Sequence, residues 1–479
     1  MSARLKQAQH SAVLDIRHET ILLHQPRSTV RLSEIIGPLS YAIDLAEGHP
    51  AGHTLRSCWI GMHIGERVGL DSEKLSDLYF TLLLKDIGGT GISSRIHTLF
   101  TNDDIKVKSR YRLVDTYNFG QALRFLWQNV APRDSFFKRL GKIAQLALQG
   151  RQIQRGLIKF RAQRSIALVA RMGLSLGVAD GIRCLDEHYN GHGEPEQKKG
   201  DQIPIASRIA LLAQVFDLYH SSTSLKEVLN HIRLLSRTWF DPVFVSALEG
   251  LAEERTFTDP LRNCDILHLV RDLEPAEYIV QIDEKQLNNV AEAFGEVIDA
   301  KSTYTHGHAV RVANYAQLIA REMGLPEDDA RLLYRAGMLH DIGVLGISNS
   351  ILDKPFKLGA DEWRRVKFHP VFSEQLLKRV DGVSELAFLA GAHHERLDGN
   401  GYPRGLKADE IPPHARILSL ASAFDAIYHP RAYHPTRTCD ETLAILEEQR
   451  GLAYDGECLD ALRRALKKEA STIELFETV

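Results

Sequence analysis

Asp86-Ile87-Gly88-Gly89-Thr90-Gly91-Ile92-Ser93 returns later in the chain as Asp341-Ile342-Gly343-Val344-Leu345-Gly346-Ile347-Ser348. His53 and His308 stand in the same place upstream, each 33 residues before its aspartate. Farther on, Ile203–Asp217 returns as Ile411–Asp425, and Ile158-Lys159-Phe160 as Val366-Lys367-Phe368. Self-similarity at this scale means two copies of one structural plan. The offset is 255 in the first blocks and 208 in the later ones, so the first copy carries about 47 extra residues, placed near 95–155.

Both copies read as helix. Leu78–Leu84, Val310–Met323 and Ala330–Leu339 place apolar residues at three- and four-residue spacings, the period of an amphipathic helix. Strand-like alternation is weak apart from Ala12–Leu23. The expected fold is all-α, with two helical domains in tandem. An N-terminal segment occupies 1–30, the first copy 31–275 and the second 276–479.

Composition excludes several classes. The 479 residues are 44% hydrophobic and 25% charged, as in an ordinary globular protein, and the net charge is -3. Whole-chain charge gives no reason to expect nucleic acid or membrane as a partner. Five scattered cysteines without a CxxC pair argue against a disulfide framework. No apolar run reaches the roughly 18 residues of a membrane span, and Met1–Leu23 lacks the apolar centre of a signal peptide. A cytoplasmic location is the expectation. The insertion alone is lopsided: residues 105–165 hold fourteen Lys/Arg against Asp115 and Asp134. That is either a solvated helical face or a docking surface for an acidic partner.

The second copy concentrates histidine: His308, His340-Asp341, His369 and His393-His394, with Glu395 and Asp398 following. Adjacent pairs beside Gly343 and Gly399-Asn400-Gly401 are unlike isolated surface histidines. Imidazole and carboxylate together suit a first-row metal better than magnesium or calcium.

His340-Asp341 followed by His393-His394-Glu395-Arg396-Leu397-Asp398-Gly399-Asn400-Gly401-Tyr402-Pro403 resembles the HD-GYP family and satisfies HHExxDGxGYP at every fixed position. The resemblance covers roughly residues 285–460. It implies two HD-like helical domains, the second of HD-GYP type, and a binuclear or trinuclear iron or manganese centre. It implies a hydrolase opening cyclic di-GMP, or in some relatives cyclic GMP-AMP, to the linear dinucleotide and GMP. Carried over by motif, the metal ligands are His308, His340, Asp341, His369, His393 and His394, with His340 and Asp341 at the catalytic centre and Asp341 bridging. Tyr402, Asp425 and Arg431 match positions lining the nucleotide site, Arg431 as a grip on phosphate or a guanine edge. The plain readings of these three, a turn aromatic, a helix-face carboxylate and a solvated arginine, stay open. The family's GYP loop is associated with GGDEF-type diguanylate cyclases, which makes such a cyclase a partner to expect beside a homodimer.

The chain also departs from the family. Ser422 stands where the family has an aspartate ligand, Val344 where it has a phosphate-contacting lysine, and Tyr304 where some members carry an extra carboxylate. The centre is therefore expected to be binuclear at most and its turnover slow, with Asp425, three residues after Ser422, as a substitute donor. The first copy has decayed further. His53 and Asp86 persist, but Lys85 replaces the HD histidine, Arg161 the counterpart of His369, Leu185-Asp186 the histidine pair and Gln214 the counterpart of Ser422. Lys85 and Arg161 put positive charge where a cation would sit, so no metal is expected there, and His188 and His192 read as a decayed GYP loop. A second function fits the same facts: a scaffold that binds nucleotide or a GGDEF partner and has lost catalysis.

Overall fold

The computed structural model describes residues 30–111, 114, 119–262, 266–380, 383–430 and 436–477. Ala12–Leu23, read above as strand-like, and Arg431 lie outside the described residues. Among them, the only strands are Val30–Arg31 and Gln281–Ile282, a two-residue antiparallel pair that ties the start of the first half to the start of the second. Everything else regular is helix, as the periodicity requires.

The repeat is visible element by element. His53–Arg67 and Ser72–Leu84 in the first half answer to His308–Glu322 and Glu327–Leu339 in the second. Each histidine helix opens after a glycine in the left-handed region, Gly52 at φ 76° and Gly307 at φ 72°. The N–H groups that a helix start leaves unpaired meet a buried carboxylate from the preceding helix. Asp44 accepts from Thr54 N at 3.2 Å and Asp299 from Ala309 N at 3.0 Å. Burial pushes both carboxyls up to about 7.

Each second helix ends two residues before an aspartate, with Lys85 or His340 as its C-cap, and runs into a tight turn. There Gly88 and Gly343 are obligatory: a Cβ would lie 2.4 Å from Arg161 O in one copy and 2.2 Å from His369 O in the other. Their N–H groups donate to Ser165 Oγ (3.1 Å) and Ser373 Oγ (2.9 Å). This contact docks the turn onto the helix carrying Arg161 or His369.

One apolar cluster runs through both halves. Ile35 and Leu39 of the helix Leu32–Glu47 face Val290, Leu339, Leu377 and Leu386 of the second half. The extra residues of the first copy form helices Ser93–Phe100, Asp104–Tyr111, Phe119–Asn129 and the first turns of the 36-residue helix Phe136–Arg171, with two small apolar clusters of their own.

Candidate metal centre

The expected ligands of the second copy come from four helices and converge. His308 opens its helix, His340 caps the C-terminus of Glu327–Leu339, His369 opens His369–Leu377, and His393 caps Ser384–Ala392. Asp341 sits between two sets of imidazoles. Its Oδ2 is 3.6 Å from His308 Nε2 and 3.4 Å from His340 Nε2; its Oδ1 is 3.0 Å from His369 Nε2 and 3.5 Å from His393 Nε2. His308, His340 and Asp341 form one group able to hold an ion, and His369, His393 and His394 form another.

The tautomers follow from the partners. A carbonyl only accepts, so Nδ1–H donates in His340 to Gly337 O (2.7 Å), in His369 to Val366 O (2.7 Å) and in His393 to Ala390 O (2.6 Å). Each Nε2 is left with a lone pair aimed inward. His369 Nε2 faces His393 Nε2 at 3.2 Å, and His340 Nε2 and Asp341 Oδ1 are buried without a hydrogen-bond partner. Burial pulls His393 down to about 4 and holds His394 well below the usual imidazole range, so both are neutral donors at neutral pH. Burial opposes ionisation of Asp341, yet positive charge at His340 and His369 holds its carboxyl well below its ordinary value, a charge that a bound cation would supply when the rings are neutral. Lone pairs facing lone pairs around a carboxylate fit divalent metal.

The structure places Asp425 behind His308, fully buried and with both its oxygens held by protein groups. His308 Nδ1 lies 2.6 Å from Oδ2, Arg311 Nε donates to Oδ1 at 2.5 Å, and a second Arg311 nitrogen reaches Oδ2 at 3.1 Å. Its carboxyl is fully buried, and although burial opposes ionisation, the His308 and Arg311 contacts bring it down to about 2. Asp425 thus orients His308 from behind, as outer-shell carboxylates do for metal-binding imidazoles. Arg311 was missed from sequence, though the signal was present: His53 and His308 are each followed three residues later by arginine, Arg56 and Arg311.

Tyr402 stacks on His394, with ring centroids 4.7 Å apart and planes at 28°. The Lys367 ammonium lies 6.0 Å from the centre of the Tyr402 ring, and Trp363 borders it at 6.1 Å. Glu395 and Asp398 face away from the centre. Glu395 holds its loop through Arg404 N (2.7 Å) and Leu406 N (2.9 Å), and Asp398 pairs with Arg396 (2.7 Å). Val344 and Ser422 are both buried, Ser422 one turn before Asp425 on Pro413–Tyr428.

The first copy keeps the rear of this arrangement and alters the front. His53 Nδ1 lies 2.7 Å from Asp217 Oδ2, and Arg56 Nε donates to Asp217 Oδ1 at 2.7 Å, the pattern of His308, Asp425 and Arg311. In front, the buried Lys85 ammonium donates to Asp86, and Arg161 pairs with Asp186. His188 stacks on Trp239 and His192 bonds within its own turn, so neither joins a cluster of donors among the described residues.

Comparison with known proteins shows the family. The HD domain family model matches residues 143–243 and 292–458. A 3'3'-cGAMP-specific phosphodiesterase 3 of Vibrio cholerae is 44% identical over 440 residues, covering 92% of this chain and 95% of that protein. A cyclic di-GMP phosphodiesterase response regulator of Xanthomonas campestris is 37% identical over 186 residues, 38% of this chain and 49% of that one. The crystal structure of a cyclic GMP-AMP specific phosphodiesterase of V. cholerae aligns at a TM-score of 0.64 and 39% identity, covering 92% of this chain and 98% of the other. The chain belongs to the HD domain family, in its HD-GYP branch.

Proposed function

We propose that this chain is a metal-dependent phosphodiesterase that hydrolyses a cyclic dinucleotide, 3'3'-cyclic GMP-AMP in preference to cyclic di-GMP, through its second copy alone. The observation that carries the reading is the convergence of four imidazoles on the single carboxylate of Asp341, with His394 beside two of them. The preference rests on likeness along nearly the whole chain to a cGAMP-specific enzyme, where the cyclic di-GMP relative matches over 38% of it. His308, His340 and Asp341 would hold one ion, and His369, His393 and His394, with Asp341 shared, a second; iron or manganese suits this donor set. Bound metal supplies acidification of water and neutralisation of charge on the phosphodiester oxygens. The chain's own groups do the rest. Asp341 stays ionised, the backbone carbonyls fix three ring orientations, and Asp425 with Arg311 fixes a fourth. Tyr402, already flat against His394, offers its ring to a nucleobase, and Lys367 brings a cation to the phosphate side, where Val344 brings none. Purified protein loaded with manganese or iron(II) should linearise cyclic GMP-AMP faster than cyclic di-GMP, read by chromatography of products. Absence of hydrolysis of either, with metal bound, would leave the scaffold reading.

Ser422→Asp is expected to raise metal occupancy and turnover, because an anionic oxygen offsets a divalent charge better than a neutral hydroxyl does. Asp425→Asn is expected to lower metal affinity by roughly 10–100-fold, the usual cost of losing an outer-shell partner. Metal content and kcat measured side by side check both. Unchanged occupancy in both variants would mean that neither position bears on the metal.

A further inference from the structure

We propose that in the first copy the Lys85 ammonium and the Arg161 guanidinium stand in the places that metal ions take in the second, and that His49, His53 and Asp86 behind them form a latent divalent-cation site held shut by Lys85. The inference rests on the reading of the second copy as a metal centre.

The donors are already assembled. His49, His53 and Asp86 each offer a ligand atom, all within 4.8 Å of one another, and all three residues are buried. His49 Nε2 is 3.2 Å from Asp86 Oδ2, and the two imidazoles stack at 4.0 Å. His53 is turned by Asp217 behind it, so its Nε2 points into the group. That atom is buried and has no hydrogen-bond partner. His49 adds a donor that the second copy lacks, since its counterpart there is Tyr304.

The cations occupy matching posts. Lys85 caps Ser72–Leu84 just as His340 caps Glu327–Leu339, and its fully buried ammonium rests on Asp86. Arg161 holds the place of His369 and pairs with Asp186, the counterpart of His394. Without a positive charge, Asp86 would be a buried carboxylate supported only by the neutral His49 ring, with the unpartnered His53 Nε2 in the same group. A covalently tethered ammonium supplies that charge without any dependence on metal supply.

The test uses the full chain. Lys85→His and Lys85→Met are made in the wild-type protein and in a His340→Ala/Asp341→Asn background that disables the second site. Each is stripped, dialysed against zinc, manganese or cobalt, and assayed for bound metal and for thermal midpoint. Lys85→His should gain one divalent ion per chain over its parent in both backgrounds, with a midpoint that rises when metal is added. Lys85→Met should melt well below its parent in chelator and recover when metal is supplied. A folded Lys85→His that gains no metal overturns the proposal. So does a Lys85→Met as stable as its parent in chelator, or failure of both variants to fold with metal present. The metal count of the unmodified chain tests the second site separately, so failure there is distinguishable from failure here.

Discussion

Asp341→Asn should lose hydrolysis by roughly a thousandfold or more while the chain stays folded. Enzymes of this kind accelerate their reactions by at least ~10⁶-fold, and among the described residues Asp341 is the one anionic group that both sets of imidazoles face. An amide of the same shape fills the same space, so packing is retained. It brings no negative charge, and its NH2 group would point a donor at ring nitrogens that need a cation. Both halves of the donor set should then weaken together. Metal content should fall for both ions, where His308→Ala or His394→Ala would weaken one preferentially. Stability in chelator should hold or rise, because removing a buried carboxylate relieves a desolvation cost that metal no longer offsets. Product chromatography and metal analysis on the same preparation check both. Retained turnover with Asn at this position would place the chemistry elsewhere.

The second copy's donors were legible in sequence because their chemistry leaves little else for them to do. Adjacent histidine and aspartate at a helix end, followed by a histidine pair before a glycine-rich loop, are hard to reconcile with core or surface. The repeat was legible for a similar reason: Gly88 and Gly343 admit no side chain. What lay behind the centre was not. Asp425 follows Ser422 by three residues, so it shares a helix face with a position that bears on metal. Sequence alone does not say whether a carboxylate on that face looks into the site or toward a neighbouring arginine. The shared His-x-x-Arg spacing in both copies was the available clue. The contacts that join the halves were less visible still. Lys301 and Asp104 are 197 residues apart, and Asp104 reads locally as an ordinary acid in the first turn of a helix. No periodicity marks a pair whose partners meet only after folding.

That pair carries the largest expected effect on stability. Asp104 and Lys301 are both fully buried, with Nζ 2.7 Å from Oδ2. The other oxygen accepts from Asn349 N at 2.7 Å and Ser348 Oγ at 3.1 Å. Lys108, beside it, binds Glu47 at 2.8 Å, Ser93 Oγ at 2.7 Å and Ala46 O at 3.1 Å. Burial opposes ionisation of Asp104, but Lys301 and Lys108 bring its carboxyl below the ordinary value. The depressed value means that its stabilising contribution is present above the unfolded pKa and is lost as pH falls through the folded one. Asp104→Ala leaves the Lys301 ammonium buried without its anion and Asn349 N without its acceptor. The expected cost is about 3–5 kcal/mol, the usual penalty for breaking a buried pair from one side. Adding Lys301→Met should recover much of it, since a buried apolar pair of similar volume is often neutral or better. Denaturant midpoints of the wild type, both single variants and the double variant measure the coupling directly. The effect should also reach the metal centre. Lys301 precedes His308 by seven residues, and Ser348 follows Asp341 by seven, so one carboxylate from the first half pins the segments on either side of the second half's donors. Metal affinity should therefore fall in Asp104→Ala even at temperatures where the chain is folded, and return in part in the double variant. Were Asp104→Ala to cost under about 1 kcal/mol, the range of an exposed pair, the first half would not be holding the second by this contact.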